Sequence, residues 1–298
     1  MADVLVAGLS ARALAQSARS AGFAPLAADF FGDLDLAEAA EANVRVAGAF
    51  DHGFLWETLS AAIERLAAGR APIGIVCGTG FEDRPELLTR LAQRWPLLGN
   101  SAEQVARVKD PAELAAGCDR LGIPHPKWSD ADRGDDWFSK RAGGSGGSHI
   151  RSSAQPDASS DPSPSPSPQG GGERPRIYWQ EQVAGEPVSA LVLGSGDKAL
   201  VLGLSEQWAG PLPEAPFRYG GAVRPAGLAD AVQVELAGAA QRIAEEFGLL
   251  GLNSVDFLVA PEGWRLIEIN PRPGATLDIF QPEGGSLFTF HVDACRGR

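Results

Sequence analysis

The segment WRLIEINPRPGATLD, Trp264 to Asp278, sets a carboxylate and an amide on alternate positions, Glu268 and Asn270, and then stops at Pro271. Residues two apart on a strand share a face, so these two side chains point the same way while Ile267 and Ile269 turn to the core. Pro271 and Pro273 end the pairing and fix the exit of the chain, with Arg272 between them. Upstream, Val255 to Ala260 reads as a second strand, joined to Trp264–Ile269 as a hairpin across Pro261-Glu262-Gly263. Asp256 then lies near Glu268 or Asn270. Two carboxylates and an amide form an oxygen-only donor set. Such a set suits Mg2+, which takes few protein ligands and shares the rest with nucleotide phosphates. The competing reading is a polar strand end satisfied by solvent; the added Arg272 favours metal and phosphate.

In FSKRAGGSGGSHI, Lys140 at a strand's end is followed by Gly143, Gly144, Ser145, Gly146 and Gly147. Glycines let backbone amides approach phosphate oxygens, and the lysine supplies a point charge. The lysine precedes the glycines, so this is no P-loop, and a plain Gly/Ser linker is the alternative. YWQEQVAGEPVSA puts Gln180 and Gln182 on one face and Glu181 and Val183 on the other, then breaks at Gly185 before Glu186. Alone, that is an ordinary sheet edge. VLVAGLSARALA followed by Asp29 imitates a dinucleotide fingerprint, but Ser10 and Ala13 stand at its second and third glycine positions. NAD binding is the weaker reading there.

These residues need elements to hold them. Residues 3–98 alternate strand and helix: strands at Val4–Ala7, Ala24–Ala28 and Ile73–Cys77, helices at 11–21, 54–68 and 84–94. That pattern predicts a parallel open sheet. A helix over 101–121 ends at Gly122. Residues 152–175 are Ser/Pro/Gly-rich with no aliphatic residue larger than Ala up to 174, which predicts a disordered, structurally idle insert. Strands at 177–183, 189–193 and 199–204 and a long helix at 228–247 complete an antiparallel α+β half.

Bulk properties narrow the classes. With 298 residues the chain is long enough for one large or two to three small domains. A net charge of -12 opposes binding to nucleic acid or an anionic membrane surface. Three cysteines without a CxxC argue for a reducing compartment. No apolar run is long enough to span a bilayer, and MADVLVAGLSARAL lacks a basic leader, so a cytoplasmic protein is expected. Of the 26 basic residues only Lys109, Lys127, Lys140 and Lys198 are lysines.

The order of these motifs is more specific than any one of them. A βαβ region, a lone lysine, Lys plus a Gly-rich loop, QEQVAGE, then D…E-x-N-x-R resembles the ATP-grasp superfamily over most of the chain. FFGDLDLAEAA, GTGFEDRPELL, FRYGGAVRP and LIEINPRPGATLDIF are similar to carboligases related to biotin carboxylase, found near genes for methanopterin- or methanofuran-dependent one-carbon metabolism. The resemblance implies an α/β ATP-grasp fold: a Rossmann-like domain at 1–98 and an ATP-grasp domain at 99–298, with a lid subdomain at about 127–194. It implies an ADP-forming ligase using ATP and Mg2+ (Mn2+ as a substitute), joining a carboxylate to an amine or thiol through an acyl phosphate. A homodimer is one arrangement it allows. Lys109 and Lys140 would meet phosphates, with residues 143–147 covering the β/γ-phosphates. Gln180, Glu181 and Val183 would meet the adenine and Glu186 the ribose; Asp256, Glu268 and Asn270 would hold Mg2+. Arg272 and Lys140 would act on the transferring group. Two departures stand out. Lys109 is followed by Asp110-Pro111, and the chain stops at LFTFHVDACRGR within a helical pattern, so a shortened C-terminus is expected. A nucleotide-binding regulator without catalysis is the alternative from another class.

Overall fold

The computed structural model describes residues 1–48, 53–147, 149–152, 176–212 and 215–298. The expected insert therefore lies, from residue 153 onward, outside the described residues. Four parallel strands come first: β1 (Asp3–Ala7), β2 (Ala24–Asp29), β3 (Ala42–Arg45) and β4 (Ile75–Cys77), in the order β3-β2-β1-β4. Their apolar runs are explained by burial on both faces. Val4, Val6 and Ala27 enter one cluster with helix α1 (Arg12–Ser20), while Leu5, Ala7 and Leu26 enter another with α3 (Trp56–Ala67) and α4 (Glu86–Ala92). The sequence reading lacks β3 and the short α2 (Leu34–Ala39), whose start is capped by Asp33. Asp29, the acid of the dinucleotide-like motif, is fully buried and accepts from the backbone N–H groups of Ala11 (3.2 Å) and Gly32 (2.8 Å). Its oxygens close turns and are not presented to a ribose.

The expected helix over 101–121 is two helices, α5 (Ala102–Lys109) and α6 (Pro111–Leu121). Proline clashes with a helical predecessor, so Asp110 is extended and caps α6 by accepting from Ala112 N–H (2.8 Å) and Glu113 N–H (3.1 Å). Lys109 thereby becomes the last residue of a helix and is aimed away from α6.

A small antiparallel sheet follows: β5 (Trp128–Ser129), β6 (Trp137–Arg141), β7 (Ile150–Ser152) and β8 (Ile177–Glu181), ordered β5-β8-β6-β7. The largest sheet is also antiparallel: β9 (Glu186–Ser195), β10 (Ala199–Ala209), β11 (Tyr219–Val223), β12 (Leu250–Ala260) and β13 (Gly263–Asn270), ordered β11-β10-β9-β12-β13. One face is apolar throughout and packs Val188, Val192, Val255 and Phe257 against Leu236, Ala240 and Ile243 of α7 (Asp230–Glu246). Burying a Leu or Ile of this kind stabilises by about 2 kcal/mol.

The other face is divided. Leu191 and Leu252 join Phe280, Leu287, Phe288 and Val292, and this cluster is continuous with Val4 and Val6 of the parallel sheet. Further along the same strands the face turns polar. Helix α8 (Leu287–Cys295) is clipped to the sheet by His291, which accepts from Leu252 N–H at Nδ1 (2.9 Å) and donates from Nε2 to the Leu98 carbonyl (3.0 Å). Gly251, at φ +66, leaves the room in which that imidazole sits, because a Cβ there would collide with the ring. No helix among the described residues is long and apolar enough to cross a membrane.

Candidate active site

Register sets the first part of the site. Asp256 pairs with Glu268 and Ser254 with Asn270 across β12 and β13, and Asp256 pairs with Ser189 of β9 on its other side. Paired residues share a face, so Ser189, Asp256, Glu268 and Asn270 form one polar patch on the half of the face that α8 leaves bare. Asn270 Nδ2 donates to Asp256 Oδ2 (2.8 Å) and Ser189 Oγ donates to Asp256 Oδ1 (2.5 Å). The exit of β13 is pinned from below by Asn100. Its amide donates to the Asn253 side chain (2.7 Å) and the Pro271 carbonyl (2.9 Å), and its oxygen accepts from Leu250 N–H (2.8 Å).

Lys109 reaches this patch from the end of α5. Its ammonium donates to Glu268 Oε1 (2.5 Å) and Asn270 Oδ1 (3.2 Å), with only 7 % of the side chain exposed. The break at Asp110-Pro111 is what allows this. Lys140, on β6, shares a face with Tyr178 and Gln180 of β8 by register and donates to Gln180 Oε1 (2.6 Å). It is buried, and desolvation holds its ammonium below the usual lysine range even with Glu268 opposing that shift.

The acids are driven apart. Burial raises Glu268, but Lys109, His149 and Lys140 outweigh it and hold the carboxyl at about 2. Burial, and then Glu268 itself, push Asp256 up to about 6. One charged carboxylate beside one easily protonated carboxyl is what two buried acids do when the nearest ammonium is bonded to only one of them. The donor set fits a divalent cation, since Mg2+ binds one or two carboxylates and completes its shell with phosphate and water. Among the described residues no three His, Cys, Asp or Glu side chains cluster as a closed metal cage. An open site shared with phosphate needs none.

The Gly-rich loop folds over the patch. Gly143, at φ +73, lies directly on the Glu82 carbonyl and the Asp83 backbone, where a Cβ has no room, and Gly147 lies equally close to Phe217. Nε of Arg141 and Nδ1 of His149 are buried there without a hydrogen-bond partner among the described residues. Polar nitrogens left unpaired beside a Gly-rich loop fit an anionic ligand. Burial keeps His149 neutral, at about 4.

Arg272 follows the strand end and turns towards the parallel sheet. Its Nε donates to Glu82 Oε1 (2.7 Å), and Glu82 Oε2 accepts from the backbone N–H groups of Gly80 (2.7 Å) and Phe81 (3.0 Å). Burial alone would raise Glu82, but Arg272 and then Lys109 pull its carboxyl below the ordinary range. Of the other expected residues, Glu181 pairs with Lys127 (3.7 Å), Val183 is half-buried beside it, and Glu186 is exposed at the start of β9. Lys109, Lys140, Gln180, Asp256, Glu268, Asn270 and Arg272 are brought together.

Glu82, Ser189 and His149 were missed by sequence reasoning. Glu82 carried a usable signal, because it lies just past the carboxyl end of β4, where open parallel sheets place ligands.

Comparison with known proteins accords with this geometry. A family model described as ATP-grasp domain matches residues 113–276, more than half of the chain. The fold is similar to biotin carboxylase from Campylobacter jejuni, solved as a βγ-ATP complex: TM-score 0.73 at 15% identity, covering 99% of this chain and 71% of that one. It is also similar to N5-carboxyaminoimidazole ribonucleotide synthetase from Thermotoga maritima: TM-score 0.66, 16% identity, 100% of this chain and 76% of that one. A third is the biotin carboxylase domain dimer of Hydrogenobacter thermophilus 2-oxoglutarate carboxylase, solved with MgADP and bicarbonate: TM-score 0.71, 15% identity, 99% and 70%. Of two larger multidomain carboxylases the chain spans 28% of the length. No curated protein matches. A matched domain of this extent, with two lysines, a Gly-rich loop and an Asp/Glu/Asn trio on one sheet face, makes the chain a member of the ATP-grasp family.

Proposed function

We propose that this chain is an ATP- and Mg2+-dependent ligase that joins a small-molecule carboxylate to an amine through an acyl phosphate. The observation that carries the reading is the convergence of Lys109 and Lys140, from separate elements, on Asp256, Glu268 and Asn270 under the Gly-rich loop. A carboxylate oxygen attacks the γ-phosphorus of ATP as the bond to the ADP oxygen breaks. The amine then attacks the acyl carbon, phosphate leaves, and the amine loses a proton. No protein nucleophile is required.

The protein's work is positioning and charge compensation. Lys140 and the backbone of residues 143–147 hold the phosphates; Gln180, Glu181, Val183 and Glu186 lie along the strand and turn proposed for the nucleoside. Arg272 receives the carboxylate, and Asp256, Glu268 and Asn270 would hold Mg2+. When bound, that ion supplies positive charge to the phosphate oxygens. The Lys109 ammonium, which donates to Glu268 and Asn270, would supply further positive charge beside the phosphates. In this reading residues 1–98 are a pre-ATP-grasp domain that contributes the acyl-side wall, residues 99–298 the ATP-grasp domain, and 127–194 its lid. The sequence resemblance to carboligases of one-carbon metabolism supports a role in cofactor assembly of the methanopterin or methanofuran type.

The test is ADP and phosphate release from MgATP across a matrix of carboxylic acids and amines. Release that requires one acid and rises with one amine is expected. Nucleotide binding with no acid-dependent turnover anywhere in the matrix would leave a binding protein and overturn the reading.

A further inference from the structure

The pairing of Arg272 with Glu82 spans the whole chain. Arg272 stands at the end of β13 and Glu82 just past β4, with 13 % and 3 % of their side chains exposed. Neither is solvent-facing, so the guanidinium is not free to sample rotamers. Glu82 is itself fixed, because its second oxygen takes two backbone N–H groups from a turn its own strand begins. The Nε of Arg272 is committed to Glu82 and Nη1 donates to the Pro273 carbonyl (3.5 Å), which leaves Nη2 towards the polar patch, 3.5 Å from Asn270 Oδ1. Finally, Gly143 of the Gly-rich loop lies on the backbone of Glu82 and Asp83.

We infer that Glu82 is a positioning residue that aims Arg272 at the reacting carboxylate. The inference rests on the ligase reading and adds to it a part for the parallel sheet. A guanidinium presents donors in a rigid plane, so holding Nε turns the whole fork. A carboxylate placed wrongly by about 1 Å loses a large part of the benefit of being held at all.

A double-mutant cycle tests this in the full-length protein, with acid-dependent ADP formation from MgATP as readout. Glu82→Gln is expected to lower kcat/KM for the acid by roughly 10- to 100-fold while the Kd for ATP moves by less than about threefold. Arg272→Gln is expected to cost at least as much. If Glu82 acts through Arg272, the double variant is no worse than Arg272→Gln alone. Losses that multiply, or a Glu82→Gln enzyme as active as wild type, overturn the role. Removing one partner of a buried pair strands the other, so Glu82→Gln could fail to fold. The double variant removes both charges, and its comparison with Arg272→Gln still decides: added loss in a folded double variant overturns the role. Wild-type protein that binds ATP but shows no acid-dependent ADP formation overturns the ligase reading, and the role with it. Active wild type with an indifferent Glu82→Gln overturns the role alone.

Discussion

Asp29 and Glu82 are both buried acids at the carboxyl ends of parallel strands, and both accept two backbone N–H groups. They differ in what is left over. Asp29 uses one oxygen on Ala11, at the start of α1, and the other on Gly32 in its own turn, so both oxygens are spent on backbone. Glu82 takes both N–H groups on one oxygen and offers the other to Arg272. The lesson is that burial and backbone bonding do not separate a structural acid from a working one. The partner of the second oxygen does, a backbone N–H for Asp29 and a guanidinium for Glu82.

The largest effect expected from sharpening this contrast is at the trio proposed to hold Mg2+. Glu268→Gln keeps the shape and removes one unit of negative charge beside Lys109. We expect it to stay folded, to bind nucleotide with weaker Mg2+ dependence, and to lose acid-dependent turnover by roughly 10²- to 10³-fold. Metal-dependent ATP turnover, run beside Ile267→Val, is the measurement. Equal damage from the aliphatic change would make the segment structural.

His291 belongs with Asp29, since both its nitrogens are spent on backbone. Burial holds it at about 4, below its unfolded value near 6.5, so the fold carries the neutral ring. Its stabilising contribution is full above about pH 6.5, falls as the pH drops towards 4, and is flat below. The span is roughly 3 kcal/mol. Urea melts at pH 7.5 and 4.5 should show a smaller pH difference in His291→Gln than in wild type; identical differences would exclude His291 as the source.

Asp29→Ala should cost about 2 kcal/mol of stability, because the buried Ala11 N–H and the part-buried Gly32 N–H lose their acceptor. ATP affinity should not change. An affinity loss matched by retained stability would return Asp29 to the ligand site and undo the comparison.

The smallest effect concerns Lys140. If its charge serves the β-phosphate, Lys140→Ala weakens ATP about tenfold more than AMP, read by competition binding. Equal weakening would make the Gly-rich stretch a linker.

Much of the site was legible because alternate residues on a strand share a face, although a bulge beside Asp256 turns Leu266, where Ile267 was expected, into the core against α7. Glu268, Asn270 and their hairpin partner Asp256 follow from spacing alone, and a proline after Asn270 announces the exit. The buried parallel strands and the Gly-rich loop were readable for the same local reasons. Even the break between α5 and α6 is local chemistry, since Asp110-Pro111 was in view and its steric consequence is fixed. What the sequence could not determine is which distant groups meet. Glu82 and Arg272 are 190 positions apart, and no periodicity relates them. Asp29 and Glu82 are both acids at the carboxyl end of a parallel strand and part company only when packing decides which partner the second oxygen meets. Local periodicity comes from backbone geometry, which every residue carries; ion pairing across sheets comes from how two cores dock, and only the folded chain holds that.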